Sequence, residues 1–392
     1  MPMIERLAHG TLLRLARGFP VLAITGPRQS GKTTLARTTF PDKPYVSLED
    51  PDLHMLAARD PRRFLAGFPD GAIIDEAQRL PELFSWLQGL VDARARRGDF
   101  ILTGSQQFGL LSKIAQSLAG RTGLVQLPPL TLAEAGAPAV DTALWRGGYP
   151  VLQSPPPAPQ EWFPNYVATY VERDVRQLLE IRDLSLFRRF VALCAARTGQ
   201  LLNLSSLASD CGISHVTARE WLTVLAASYL VFLLRPYHRN FGKRLVKSPK
   251  LYFLDTGLAA WLLGIRGSAD ASIHALRGAL FETMVVGEFV KHRWNAGQPA
   301  DLYFWRDSAG HEVDLLFEAG GKLQAIEIKS GMTFAADWLD AARRWLDFAG
   351  AEALPPWIIY GGDHSFDSSG CRAFSWRTLM ESPAAGRSRT GC

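Results

Sequence analysis

AITGPRQSGKTTLA, Ala23 to Ala36, decides the fold. The apolar run PVLAIT leads into it, and a helical pattern leads out of it through KTTLARTTF. Gly26, Gly31, Lys32 and Thr33 stand at the spacing of the eight-residue phosphate loop, between a strand and a helix. The run Gly26, Pro27, Arg28, Gln29, Ser30, Gly31 and Lys32 would wrap phosphate oxygens through its backbone N–H groups, of which Pro27 has none, with Thr33 and Thr34 completing the binding run. The start of the following helix adds a favourable field for anions. Lys32 would reach the β- and γ-phosphates, and the Thr33 hydroxyl would ligate magnesium. A plain Gly-rich strand-to-helix turn is the bland alternative. It does not account for strand, loop, Lys-Thr pair and helix coinciding.

Moving outward, GAIIDEAQ is an apolar strand that ends in two acids. Such a strand presents them at the carboxyl edge of a sheet, where ligands sit in α/β folds. Asp75 is the expected magnesium carboxylate and Glu76 the expected base for the attacking water. FILTGS ends a further strand with Thr103, Gly104 and Ser105, and Ser105 is the candidate sensor of the γ-phosphate. SLAGRTG places Arg121 after a helix, where a neighbouring subunit could use it against transition-state charge. Arg28, inside the loop, is read as structural or subunit-facing. Short β-like runs alternate with helical ones up to about residue 135, which predicts an α/β fold with a largely parallel sheet.

The chain has 392 residues, enough for two or three domains. Its four cysteines, Cys194, Cys211, Cys371 and Cys392, have no paired spacing, which argues against a disulfide framework or zinc ribbon. No apolar run reaches membrane-spanning length, and MPMIERLAHG carries no signal-like apolar region. A cytoplasmic protein without membrane contact is expected. Net charge is +5, and residues 161–262 hold 13 basic against 8 acidic side chains, so the excess lies in the middle of the chain.

Residues 136–160 are Pro- and Gly-rich and read as a linker, with LWRGGYP as a packed turn inside it. Two helical runs follow, and then NLSSLASDCGISHVTAREWLTVLAASYLVFLLRPY. A short helix, Gly212, and a longer helix capped by Ser214 form a helix-turn-helix pattern. Ser214, His215, Thr217 and Arg219 occupy its DNA-facing start, while Val216, Leu222 and Leu225 are assigned to its buried face. YLVFLLRPY and KLYFLDTG read as the strands of a wing. Between and beside them Arg235, Arg239, Lys243, Arg244, Lys247 and Lys250 form a basic strip, interleaved with Tyr237 and Phe241. Such a strip would contact phosphates in a salt-sensitive, sequence-independent way. A solvated wing used for protein contacts is the alternative.

The last block opens with the helical run ALRGALFETMVVGEFVKHRW and continues with strands, among them HEVDLLFEA and KLQAIEIKS. Strand alternation puts Glu327 and Lys329 on one face. Asp314, Glu327 and Lys329 match the Asp…Glu-x-Lys pattern of nucleases, in which two carboxylates bind magnesium and the lysine works on the attacking water. Glu282 is preferred over Glu288 as the helical carboxylate that completes the set. Glu312 is placed outside it, on the face opposite Asp314. An ordinary hairpin with paired surface charges remains the alternative. The tail after about Glu381 reads as disordered.

GPRQSGKTTLA, IIDEAQRLPELFSWLQGLVD, FILTGSQQ, SLAGR and PLTLAE together resemble a prokaryotic branch of AAA-type ATPases. GGYP, YVATYVERDV, LYFLDTGLAAWLLG, GALFETMVVGEFVKH, FWRDSAGHEVDLLFE and AIEIKSG resemble the region usually attached to it, and the resemblance runs from about residue 15 to 335. It implies an α/β protein with a P-loop AAA-type ATPase core, a helical and winged-helix domain, and an α/β PD-(D/E)xK nuclease-like domain. The expected divisions are 1–135 for the ATPase, 136–160 for the linker, 161–267 for the winged helix, 268–381 for the nuclease-like domain and 382–392 for the tail. ATP and Mg2+ are the expected cofactors, DNA the expected partner, and a homo-oligomer the expected assembly. The expected activity is Mg-dependent ATP hydrolysis at DNA, with an ATP-controlled nuclease in the last domain. The alternative is a nucleotide-dependent switch that binds DNA or protein and cuts nothing.

Overall fold

A computed structural model describes residues 4–105, 114, 116–154, 157–171, 183–237, 247–368 and 370–381. Contacts divide the chain into two compact units. The first takes Met1–Leu130 with Ala227–Tyr229 and Arg293–Pro299, and the second takes the remainder.

The first unit is built on five parallel strands in the order β2-β3-β4-β1-β5. They are β1 (Val21–Thr25), β2 (Tyr45–Ser47), β3 (Ala72–Asp75), β4 (Phe100–Gly104) and β5 (Thr122–Gln126). β1, β3 and β4 are buried along their whole length, because a parallel sheet is covered on both faces. Leu22, Ile24, Ile73 and Ile101 share one face and pack with Leu12 and Leu35 from helices Ala8–Ala16 and Lys32–Thr39. Val21, Ala23, Ile74 and Phe100 share the other and pack with Phe84, Leu87 and Val91 from helix Leu83–Arg94. β5 contains Gly123 and alternates buried with half-buried positions, so no apolar run announces it in the sequence.

The second unit carries a nine-stranded sheet, in the order β13-β14-β12-β11-β10-β9-β7-β8-β6. β6 is Gln200–Leu201, β7 Val231–Pro236, β8 Lys250–Phe253, β9 Tyr303–Arg306, β10 Glu312–Ala319 and β11 Lys322–Lys329. β12 (Trp357–Tyr360), β13 (Phe366–Ser368) and β14 (Cys371–Ser375) complete it. β7 and β8 form an antiparallel ribbon, and β7 also pairs in parallel with β9 at Arg235↔Tyr303 and Pro236↔Phe304. One sheet therefore continues across residue 267, where the sequence suggested a division.

The Pro/Gly-rich stretch is folded at its core. Val140–Arg146 is helical, and Gly147 has φ of 71° beside the Asp255 carboxylate. Asp255 is buried and accepts from Gly148 N at 2.7 Å and Leu258 N at 2.9 Å. Tyr149 is buried against Trp162 and Tyr166, which stack with centroids 4.6 Å apart.

Two helices meet at a tight turn at Gly212. Helix Leu204–Cys211 ends at Gly212, whose φ of 80° favours glycine, and helix His215–Ala227 follows. The Ser214 hydroxyl accepts from Thr217 N at 3.0 Å, as a cap should. Leu222 and Leu225 are buried, but Val216 is 63% exposed. Ala218, Trp221, Leu222 and Leu225 fix the buried stripe, and Val216 lies on the other side of the helix. Arg239, Lys243, Arg244 and Phe241, with the tail 382–392, lie outside the described residues.

Replacing Asp255 with Ala leaves two buried amides without acceptors, each costing about 1–3 kcal/mol. Asp255→Ala should lower the denaturant midpoint of the second unit clearly. An unchanged midpoint would mean that residues 140–149 do not depend on this carboxylate.

Candidate functional site

β1 delivers Thr25 to the loop, and Gly26 follows with φ of 146°. A Cβ at Gly26 would lie 2.1 Å from the Leu127 carbonyl oxygen, so no other residue fits without moving the backbone. Gln29 at φ 60° and Gly31 at φ 93° complete the curl, and helix Lys32–Thr39 starts directly after it. The Lys32 ammonium is buried and donates to Gly26 O at 3.0 Å and Pro27 O at 2.7 Å. The loop is braced from behind, where Arg6 donates to Ser30 O at 2.6 Å and to Pro128 O at 2.8 Å. The Ser30 hydroxyl is buried without a hydrogen-bond partner among the described residues. An orphaned donor in a ring of loop amides suits an anion.

β3 ends on Asp75, which is 8% exposed. Its carboxylate accepts from Thr33 at 3.0 and 3.1 Å, from Tyr45 at 2.9 Å and from Thr103. Thr33 and Asp75 thus present a hydroxyl and a carboxylate side by side at the mouth of the loop. That is the oxygen-rich pair a magnesium ion takes when it also binds phosphate oxygens. Glu76 turns out of the strand with φ of 52°, an unusual conformation for a non-glycine residue. Its carboxylate accepts from the Ser105 hydroxyl at 3.1 Å through both oxygens and from the Gln78 amide. Two residues apart on the end of β4, Thr103 and Ser105 hold the two acids of β3. Tyr45 was not evident from the sequence, because β2 carries no motif, and Gln78, although it closes GAIIDEAQ, was given no role there.

Arg121 lies immediately before β5. Its backbone carbonyl accepts from Val21 N, at the amino end of β1. The phosphate loop leaves the opposite end of β1, about 16 Å away for five strand residues. Arg121 makes a two-pronged pair with Asp92 at 2.6 and 2.8 Å, with a third of the arginine side chain exposed. Asp92 holds the guanidinium above its ordinary pKa and is itself held below the usual carboxylate range by that hydrogen bond. Arg121 is therefore remote from its own loop.

The family described as an AAA domain matches residues 18–136. Domains of unknown function, DUF8612 and DUF4143, match residues 137–269 and 277–379. The uncharacterized proteins Rv2008c of Mycobacterium tuberculosis and Mb2031c of Mycobacterium bovis are each 36% identical over 373 residues, covering 94% of this chain and 82% of theirs. The chain belongs to their family, that of AAA-type P-loop ATPases. A Walker-type ATPase of Pyrococcus abyssi, PABY2304, is 14% identical in solved structure, over 66% of this chain and 96% of that one, with a TM-score of 0.45. Among the described residues of the ATPase, no helix is long and apolar enough to cross a membrane.

In the second unit of the ATPase, the acids of the nuclease-like pattern meet around a lysine. Lys250, on β8, is 3% exposed. Its ammonium donates to Glu282 at 2.9 Å, contacts Glu312, and lies 3.7 Å from Asp314. Lys250 thus belongs to this cluster and not to the solvated basic strip. Glu312 belongs to it as well: residues two apart in a strand share a face, so Glu312 and Asp314 reach the same ammonium. Lys329 donates to Glu327 at 2.5 Å, Ile328 N to Asp314 at 2.8 Å, Tyr252 to Glu282 at 2.5 Å and Arg306 to Glu312 at 2.7 Å. Glu288 faces elsewhere, accepting from Leu132 N and Lys291, both at 2.9 Å.

Burial and the negative Asp314 push the Glu282 carboxyl up to about 7 and the Glu327 carboxyl up to about 8. Burial works against the charged form of Lys250, but Glu282, Asp314 and Glu312 outweigh it and hold the ammonium above its ordinary value. Unit charges about 4 Å apart interact by about 4 kcal/mol at an effective dielectric of about 20, and a divalent ion placed beside Lys250 would be repelled by about twice that. Lys250 therefore opposes a divalent ion among these carboxylates, whereas Thr33 and Asp75 offer the hydroxyl and carboxylate pair that such an ion takes.

Lys32→Ala removes the cation at the centre of the loop. Wild-type protein should melt later with Mg-ATP, by about 2.7 kcal/mol of stabilisation at a hundred times the dissociation constant. Lys32→Ala should lose most of that shift while keeping its nucleotide-free melting point within a few degrees. An equal shift in both proteins would remove Lys32 from the phosphate site.

Proposed function

We propose that this chain is a Mg-dependent ATPase that works at DNA, with ATP turnover setting the state of the helix-turn-helix and its wing. The hydrolytic half rests on the loop and its two acids. Thr33 and Asp75 would hold Mg2+, which, when bound, shields the charge of the phosphates. Lys32 would face the β- and γ-phosphates. Glu76, oriented by Ser105, would take the proton of the attacking water. Arg121 is too far from its own loop to act there, so its role at the γ-phosphate belongs to a neighbouring copy, which implies a homo-oligomer.

One observation carries the DNA half. The start of helix His215–Ala227 presents His215, Val216 and Arg219 to solvent while its other side is buried. Recognition helices are held in this way. Arg235 and Lys247 are exposed on the flanks of the wing. The positive excess of the sequence falls in this same region. Cleavage is not part of this reading, because the carboxylate centre of the large sheet already surrounds an ammonium. The reading is thus the nucleotide-dependent switch.

Duplex binding measured over a range of salt concentrations tests the DNA half. Each phosphate contact removed should flatten the log–log slope by about 0.9. Arg219→Ala and Lys247→Ala should each weaken binding alike on unrelated sequences and reduce the slope by up to that amount. A slope and affinity untouched by both substitutions would assign this surface to a protein partner.

A further inference from the structure

We propose that Lys250 occupies the place a divalent cation would take in the carboxylate centre of the large sheet, so that an ammonium and not a metal holds Glu282, Glu312 and Asp314 together. The inference concerns the second unit alone and does not depend on whether the first hydrolyses ATP at DNA.

Each carboxylate of the centre is already engaged through at least one oxygen. Glu282 accepts from Lys250 and Tyr252, Glu312 from Lys250 and Arg306, and Glu327 from Lys329. Asp314 accepts from Ile328 N and faces Lys250. A hard divalent ion needs about six oxygen ligands with lone pairs free to face it. Here the shared direction of three carboxylates is taken by a single nitrogen. Four carboxylates stand against the three cations Lys250, Lys329 and Arg306. The residual charge is a fraction of what an unpaired carboxylate set offers a metal.

Lys250 is also fixed in place. It sits on a paired strand, in register with Leu201 on one side and Leu234 on the other. The Phe304 ring lies 5.7 Å from its ammonium, and the side chain is almost wholly buried. A buried ammonium with ionic partners does not leave without large loss, because its departure strands the carboxylates. The centre therefore joins β8, β10 and helix Arg277–Asn295 as an ion cluster. It retains the residues of a nuclease pattern without the vacancy for the metal that pattern requires.

Nucleotide-free protein titrated with Mn2+ and followed by electron paramagnetic resonance tests this. Mn2+ held by the ATP site is identified by its loss in Asp75→Asn. In the wild-type chain, Asp314→Asn and Glu327→Gln should leave Mn2+ binding unchanged. Lys250→Met should create a new site and raise Mn2+ affinity at least about tenfold, since a like charge has been removed from beside the ligands. Adding Asp314→Asn to Lys250→Met should abolish the gain. If Lys250→Met does not fold, Lys250→Gln, which keeps a polar tip, is read in the same way. A wild-type Mn2+ site that disappears in Asp314→Asn would overturn the proposal. So would a folded Lys250 variant that gains no site.

Discussion

The Asp75 carboxylate is the interaction on which the ATP site depends. It is buried, and buried charge is costly unless fully paired. Thr33 from the helix after the loop, Tyr45 from β2 and Thr103 from β4 all donate to it. One group therefore ties the helix after the loop to β2, β3 and β4. The next residue, Glu76, is turned sharply away by its left-handed backbone and is held separately by Ser105. Two adjacent acids thus receive two environments, one suited to a metal ion and one to a water proton.

The second unit solves a related problem differently. Its large sheet continues from the ribbon β7–β8 into β9–β11, and the acids of β10 and helix Arg277–Asn295 meet over that continuous surface. Lys250 compensates them from within the chain. At the loop mouth Asp75 is held by neutral hydroxyls, whereas the carboxylate centre is closed on its own cation. The contrast between the two sites lies in the charge of the partners, not in the type of acid.

Much of the first unit was legible because its signals are local. Loop spacing, two acids on an apolar strand and the polar end of β4 all fall within short runs. β5 was not legible, since Gly123 and its alternating burial give no apolar run. Residues 140–149 looked like a linker because proline and glycine advertise turns. Their order comes from Asp255, which is distant in sequence. Val216 was misassigned because the buried stripe is set by Trp221 and Ala218, not by the cap. Lys250 was read with its basic neighbours, and only the packing of β8 shows that it turns inward. Glu312 was misplaced by one step of strand alternation, and its partner, Lys250, is invisible to any local pattern.

The central claim is that the loop site hydrolyses ATP with magnesium through Glu76. Phosphate release by the purified chain, compared between wild type and Glu76→Gln with Mg2+ and with a chelator, tests it most directly. The wild type should release phosphate only with Mg2+. Glu76→Gln should bind Mg-ATP yet turn over about 10²–10⁴-fold more slowly, the range for loss of a general base. Turnover by Glu76→Gln at the wild-type rate, or wild-type turnover that survives the chelator, would contradict the account.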